Sequence, residues 1–232
     1  MASTKQIFAV LGLCIVMVAG LSYWAGLDNK SNQITLDENA VPLETPFTPK
    51  ELDITKPKDT NTMNPVALFE TNKGMIEIEL FTDTMPITAG NFEKLVKEGY
   101  YDGIKFHRVI DGFMIQGGDP LTKDDSKMNA WGTGGPGYAI ADEHIVGALL
   151  TNTRGTLSMA NSGPNSGGSQ FFLNLVDNVN LDFDKPPLSS AHPVFGRVIA
   201  GMDVVDAIGK VAVTPGNNRP VEPVVISKAS IK

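Results

Sequence analysis

"FHRVIDGFMIQGGD", residues 106–119, decides the fold more than any other stretch of the chain. Two short apolar runs, 106–110 and 113–116, flank Asp111-Gly112, a dipeptide typical of the tight turn between antiparallel strands. Arg108 stands among Phe, Val and Ile in the first run. A permanently charged guanidinium there either points out from the strand face or lies at the edge of a pocket whose apolar neighbours exclude water.

The segments around this stretch predict a mainly β domain. "VALFET", Asn72-Lys73-Gly74 and "MIEIELF" predict a hairpin, because apolar residues alternate with Glu77 and Glu79 in the second run. Further strands are predicted at 105–110, 112–116, 156–160, 170–175, 193–199 and 223–231. Many short strands separated by Gly-rich turns, with two peripheral helices, favour a closed antiparallel barrel.

Two helices are predicted beside these strands. The first has Thr84 as its N-cap, Pro86 in its first turn and Gly99 at its end, and its apolar face consists of Phe92, Leu95 and Val96. The second lies near 201–210, with Met202, Val205 and Ile208 as its apolar face.

The N-terminal part differs in composition from the rest of the chain. Residues 7–27 carry no charge and as a helix would span about 31 Å, close to one bilayer core. An uncleaved signal anchor is the first interpretation; a cleaved signal peptide and a lipoprotein signal ending at Cys14 are the alternatives. Residues 28–63 are rich in Pro and acidic residues and predict a flexible linker. The predicted division is therefore 1–27 anchor or signal, 28–63 linker and 64–232 globular domain.

Composition excludes some functions. The 232 residues carry a net charge of −7, which disfavours nucleic acid as a partner. The single cysteine cannot form an internal disulfide. Residues 132–137 fit G-x-G-x-x-G, but Pro136 and the turn-rich surroundings favour a surface loop over a dinucleotide site. The three histidines share no metal-ligand spacing, and no G-x-S-x-G motif supports a hydrolase.

Three segments together resemble one family. The stretch 106–119, "GTLSMANSGPNSGGSQFFLN" (155–174) and "VFGRVIAGMDVVDAI" (194–208) are similar to cyclophilin-type peptidyl-prolyl cis-trans isomerases, in the family's order and spacing. The resemblance extends over about 65–232. It implies an eight-stranded barrel and an enzyme that accelerates rotation about X-Pro peptide bonds, with no cofactor and no metal. A proline-binding module with little turnover is the alternative.

The resemblance also assigns site residues. Arg108 matches the catalytic arginine, and Phe113, Met114, Phe172 and Leu181 match the proline pocket. The groups that orient the substrate backbone are matched by Gln116, Asn161 and Gln170. Ala160 and Ser162 match the groove wall, and His192 matches the histidine that rims the pocket. The expected partners are proline-containing polypeptides and, through residues 7–27, a membrane. The enzyme is expected to be monomeric and anchored with its domain outside the cytoplasm, or secreted or periplasmic if the signal is cleaved.

The sequence departs from the family pattern at three places. Asp111 stands where the family usually has proline. Asn180 precedes Leu181 where the family often has Trp or Phe, a position that contributes to cyclosporin binding, so weak cyclosporin binding is expected. The segment 182–191 is longer than in compact members, which puts the placement of His192 in doubt.

Overall fold

The computed structural model describes residues 64–147, 150–186 and 191–232. The predicted anchor or signal and the whole of the predicted linker lie outside these residues. Within the described ranges, no helix has the length and apolar character needed to cross a membrane.

The described part is mainly β. Its strands are β1 Val66–Thr71, β2 Gly74–Leu80, β3 Arg108–Ile110, β4 Met114–Gly117, β5 Thr156–Met159, β6 Phe171–Asn174, β7 Val194–Ala200, β8 Val213–Thr214, β9 Arg219–Pro220 and β10 Ile226–Ile231. Its helices are α1 Thr88–Lys97 and α2 Met202–Gly209, with short 3-10 helices at Pro120–Lys123, Asp125–Ala130 and Val179–Leu181.

The hairpin and the second helix follow their sequence patterns. β1 and β2 pair antiparallel, and alternate β2 residues Ile76, Ile78 and Leu80 are fully buried. This is the period-two pattern of a half-buried strand. Val205 and Ile208 of α2 are likewise buried, as the helical spacing predicts.

Eight strands form one sheet in the order β10-β1-β2-β7-β5-β6-β4-β3. It is a half-barrel whose strand ladder is not closed in the described structure, since β3 and β10 are edges rather than paired neighbours. The two edges approach where Lys105 forms an isolated bridge with Val225 and the Phe106 N–H donates to the Val224 carbonyl at 2.9 Å. The predicted strand 105–110 is a regular strand only from Arg108 onward, so β3 and β10 do not pair as neighbouring strands.

The start of α1 differs from the prediction. Thr84 is not the N-cap, because the helix begins at Thr88 and has no side-chain cap from its own segment. The buried carboxylate of Glu143 instead accepts the N–H groups of Ile87 at 2.9 Å and Thr88 at 2.6 Å. A carboxylate at a helix N-terminus satisfies free N–H donors and complements the helix dipole. Gly99, with φ of 68°, ends the helix as predicted.

Aromatic rings make up the centre of the core. Phe92 of α1 packs against Tyr101, Phe195 and Phe171, with ring centroids 4.9, 5.2 and 5.5 Å apart. Phe69 of β1 lies 5.6 Å from Phe171. These rings pack α1 against one face of the sheet.

Candidate active site

Strand register places the central polar residues next to the apolar ones. In the β3–β4 pair Arg108 faces Gln116, and in the β4–β6 pair Gln116 faces Phe172. Gly118, just after β4, has φ of 90°, and a Cβ there would lie 2.2 Å from the Ser169 carbonyl oxygen. Only glycine allows this close approach, which brings the polar ends of β4 and β6 together.

A cavity of about 250 Å³ opens at this point. It is lined by Arg108, Phe113, Met114, Gln116, Ala160, Asn161, Phe172, Leu181 and His192. We call it the proline-site cavity, after the role that the family resemblance implies for its residues. Its apolar floor consists of Met114, Phe172 and Leu181, which form a buried cluster separate from the main core. The concavity therefore offers an apolar slot with polar groups at its edge, which is the usual composition of a ligand site.

A chain of hydrogen bonds orients the polar edge. Arg108 Nη1 donates to Gln116 Oε1 at 3.2 Å, and Gln116 Nε2 donates to Gln170 Oε1 at 3.1 Å. Gln170 Nε2 donates in turn to the carbonyls of Gly132 and Gly134 at 3.0 and 2.8 Å. Each amide is thereby fixed in one orientation, and the exposed guanidinium keeps donors free for a ligand.

His192 lies in the cavity wall despite the long segment before it. Its backbone N–H donates to the Leu181 carbonyl at 3.1 Å, and its Nδ1 is 3.0 Å from the Met159 carbonyl oxygen. Its ring contacts Phe172 edge-on, with centroids 5.4 Å apart. Burial lowers the pKa of His192, so the ring is neutral at pH 7. Residues 187–190 of the preceding segment lie outside the described residues.

A larger cavity of about 440 Å³ adjoins the first. Gln116, Ala160 and Asn161 line both, whereas Ser162 and Gln170 line only this neighbour. The structure thus brings nine of the predicted site residues to the proline-site cavity and the remaining two to the adjoining groove.

The G-x-G-x-x-G segment is a loop at the edge of this groove, as the sequence predicts. The Gly132 and Gly134 N–H groups both donate to the buried carboxylate of Asp119. That carboxylate also accepts the Leu121 N–H at 2.7 Å. The Gly132 and Gly134 N–H groups are therefore occupied within the protein, and the carbonyls of the same two residues accept from Gln170.

A buried polar network behind the floor is a feature that the sequence analysis missed. Asn178 Nδ2 donates to the Phe113 carbonyl at 2.9 Å, and Asn152 Nδ2 donates to the His192 carbonyl at 3.0 Å. Asp182 accepts the backbone and side-chain N–H groups of Asn152 at 2.8 and 2.7 Å. The network fixes backbone on both sides of the cavity. Polar residues in loops are common, so composition offers no signal for it.

His107 is the second histidine near the site. It is 7% exposed, and burial lowers its pKa to about 4; the Asp119 charge opposes this shift, and the charges of Arg108 and Arg219 add to it. Across the described ranges, His, Cys, Asp and Glu residues form no group of three or more that could hold a metal ion.

Residues 66–231 match the sequence model of the family described as cyclophilin type peptidyl-prolyl cis-trans isomerase/CLD. The chain belongs to this family.

Relatives of several lengths are similar to this chain. Peptidyl-prolyl cis-trans isomerase ppi1 of Schizosaccharomyces pombe is 43% identical over 164 residues, covering 69% of this chain and 94% of the relative. A peptidyl-prolyl cis-trans isomerase of Acinetobacter baylyi is 44% identical over 173 residues, covering 73% and 86%. Two peptidyl-prolyl cis-trans isomerase-like 2 proteins of Cryptococcus neoformans are 38% identical over 205 residues, or 88% of this chain. The chain spans only 33% of their length.

A solved structure supports the same fold. The cyclophilin type peptidyl-prolyl cis-trans isomerase of Cryptosporidium parvum, crystallised in the presence of the dipeptide Ala-Pro, matches with a TM-score of 0.60 and 30% identity. The match covers 72% of this chain and 98% of that one.

Proposed function

We propose that this protein is a peptidyl-prolyl cis-trans isomerase. The observation that carries the proposal is the position of Arg108 at the edge of an apolar cavity, with the neutral Gln116 as its hydrogen-bond partner. A guanidinium held by a neutral acceptor retains its full charge and free donors beside a slot for a proline ring.

The reaction needs a particular kind of stabilisation. The X-Pro bond has partial double-bond character, with a rotation barrier of about 18–20 kcal/mol. In the twisted transition state the amide resonance is lost and the nitrogen gains a lone pair. A fixed donor aimed at that nitrogen stabilises the twisted state more than the planar one, and only such differential binding accelerates the step.

Each site residue has a role in this scheme. Arg108 donates to the twisted amide, and Phe113, Met114, Phe172 and Leu181 hold the pyrrolidine ring. Gln116, Asn161 and Gln170 orient the substrate backbone. The groove wall is formed by Ala160 and Ser162, and neutral His192 rims the pocket.

The size of the effect is attainable. Lowering the barrier by about 7 kcal/mol accelerates rotation roughly 10⁵-fold. One or two charge-assisted hydrogen bonds, together with positioning of the ring, reach this magnitude. The scheme requires no nucleophile.

The test is whether the full chain isomerises a short proline peptide, with the rate measured by exchange spectroscopy or a coupled protease assay. Turnover well above the uncatalysed rate supports the proposal. Tight binding of the peptide without acceleration would support a proline-binding module instead.

We further propose that the domain acts outside the cytoplasm, attached to a membrane through residues 7–27. The uncharged segment and the Pro-rich acidic linker 28–63 support this placement. Carbonate extraction of membranes and N-terminal sequencing of the mature protein test it. Retention of Met1 or its neighbour in an extraction-resistant protein indicates the anchor, whereas an N-terminus beyond residue 20 indicates a cleaved signal.

We also propose, in line with the sequence analysis, that the enzyme works as a monomer. Light scattering at the assay concentration tests this directly.

A further inference from the structure

A third cavity, also of about 250 Å³, shares Arg108 and Gln116 with the proline-site cavity. We call it the cationic cavity. It is lined by His107, Arg108, Gln116, Trp131, Gly132, Asn217 and Arg219. The lining contains two guanidinium groups and no carboxylate.

Local structure holds Arg219 in place. It lies on β9, paired with Thr214 of β8, and the Asn218 carbonyl next to it accepts the Val109 N–H at 2.8 Å. This bond ties the β8–β9 hairpin to β3, beside Arg108. The Arg219 guanidinium lies over the Trp131 ring, 5.2 Å from its centroid. Stacking of this kind orients an arginine while leaving its N–H donors free.

Both arginines lack an acidic partner in the described part of the chain. Lys105, on the same tryptophan, forms an ion pair with Asp125, so its charge is compensated. Arg108 donates only to neutral Gln116, and Arg219 has no side-chain hydrogen bond or ion pair among the described residues. The nearby Asp119 carboxylate keeps its charge but accepts backbone amides and forms no ion pair with either arginine among the described residues.

His107 adds a further polar group to this wall. Its Nδ1 is buried and has no hydrogen-bond partner among the described residues. Because its ring is neutral at pH 7, one nitrogen carries a proton and can donate. An oxyanion is the complement of two uncompensated guanidiniums and an amide, since charge-assisted bidentate bonds to carboxylates are the strongest that arginine forms.

We propose that the cationic cavity binds the carboxylate of an Asp or Glu residue in the substrate polypeptide, and that Arg219 determines this specificity. The inference rests on the proposed isomerase function, because Arg108 joins the two cavities. An extended peptide rises about 3.3 Å per residue, so the acidic residue lies within about three residues of the proline.

The negative net charge of the chain distinguishes a local preference for an acidic residue from a long-range electrostatic effect. With a net charge of −7, the whole chain repels acidic peptides at long range. A preference for an acidic residue at one position only must therefore come from a local site. Long-range effects would act alike at every position.

The test uses proline peptides with Glu or Gln at each of three positions on either side of the proline. The full chain should show kcat/KM at least fivefold higher for Glu than for Gln at one position. Arg219→Gln should reduce that ratio to about one. Lys228→Gln, which removes the same charge from an exposed strand residue outside the cavities, should retain the ratio.

Two results would overturn the inference: equal rates for Glu and Gln at every position, or a preference that survives in Arg219→Gln. Calorimetric affinities for the same peptides are measured in parallel. If no peptide is turned over, the isomerase proposal fails, and the affinity ratio still decides whether the cationic cavity selects a carboxylate.

Discussion

Arg108 and Gln116 face each other across β3 and β4, and the guanidinium Nη1 donates to the Gln116 side-chain oxygen at 3.2 Å. The acceptor is an amide and not a carboxylate, so the arginine is held without being neutralised. Gln170 fixes the orientation of that amide through its own oxygen. The charge of Arg108 therefore remains available to both cavities that meet at this pair.

Replacing Arg108 tests the catalytic assignment. Arg108→Ala should lower kcat/KM at least tenfold, because the donor to the twisted amide is lost. The folded structure should survive, since the side chain is exposed. Arg108→Lys retains a charge but not the fork, and should recover only part of the activity. Wild-type activity in a well-folded Arg108→Ala protein contradicts the mechanism.

Besides its proposed contact with the substrate backbone, Gln170 positions Gln116 in the hydrogen-bond chain. Gln170→Leu removes the acceptor for Gln116 and the donors to the Gly132 and Gly134 carbonyls. A loss of about 1 kcal/mol in transition-state stabilisation corresponds to roughly fivefold in kcat/KM. Gln170→Glu is not a neutral control, because its carboxylate would face the Gly132 and Gly134 carbonyl oxygens. If Gln170 acts through Gln116, combining Gln170→Leu with Gln116→Leu should cost no more than Gln116→Leu alone, whereas additive losses would argue against positioning through Gln116.

The pocket floor should affect both binding and stability. Leu181 is 8% exposed and packs with Met114 and Phe172. Leu181→Ala should raise KM for proline peptides and lower the free energy of unfolding by about 2–3 kcal/mol. Val179→Ala, in the same 3-10 helix but 43% exposed, is the matched control and should change stability by less than about 0.5 kcal/mol. Urea denaturation and steady-state kinetics measure the two effects.

Acidification should destabilise the fold through His107. Burial lowers its pKa from 6.5 to about 4, so between these values the unfolded state binds more protons than the folded state. The contribution of His107 to the free energy of unfolding is therefore fully present above pH 6.5. About 3 kcal/mol of it is lost as the pH falls towards 4. His107→Gln should lose correspondingly less between pH 7 and pH 4. Parallel denaturation curves for the two proteins would refute this assignment.

Cyclosporin should bind weakly. Asn180, which precedes the pocket residue Leu181, is exposed and lacks the indole or phenyl surface that the family often has there. We expect a dissociation constant well above the low nanomolar range, and Asn180→Trp should tighten binding by adding buried aromatic area. Fluorescence or calorimetric titration measures both. Low nanomolar affinity of the unaltered protein contradicts the prediction.

Several features of the site follow from short contiguous patterns. The β1–β2 hairpin, the apolar face of α2 and the β3–β4 turn are encoded by local periodicity and turn chemistry, and all form where predicted. The three motifs that identify the family are also contiguous. His192 reaches the cavity although the segment before it is long, because its backbone bonds to Leu181.

Other features depend on residues far apart in the chain. Thr84 is a plausible helix cap by sequence, but Glu143, 55 residues beyond Thr88, supplies the carboxylate that caps α1. The predicted barrel closure is replaced by an open ladder whose edges are joined by an isolated bridge and backbone hydrogen bonds between 103–106 and 224–226. Neither outcome has a local signal, because each depends on which segments pack together.

Local periodicity and contiguous motifs in the sequence determined the family and most of the strands and helices, though not β8 and β9. The residues that line the proline-site cavity were assigned by the family resemblance. Only the tertiary structure decided which charges remain without partners. Arg219 is one more surface cation in the sequence; it becomes part of a site because the bond between Asn218 and Val109 places it beside Arg108 and Trp131. Whether a charge is compensated depends on its distance from other charges, and these distances cannot be read from the linear order of residues.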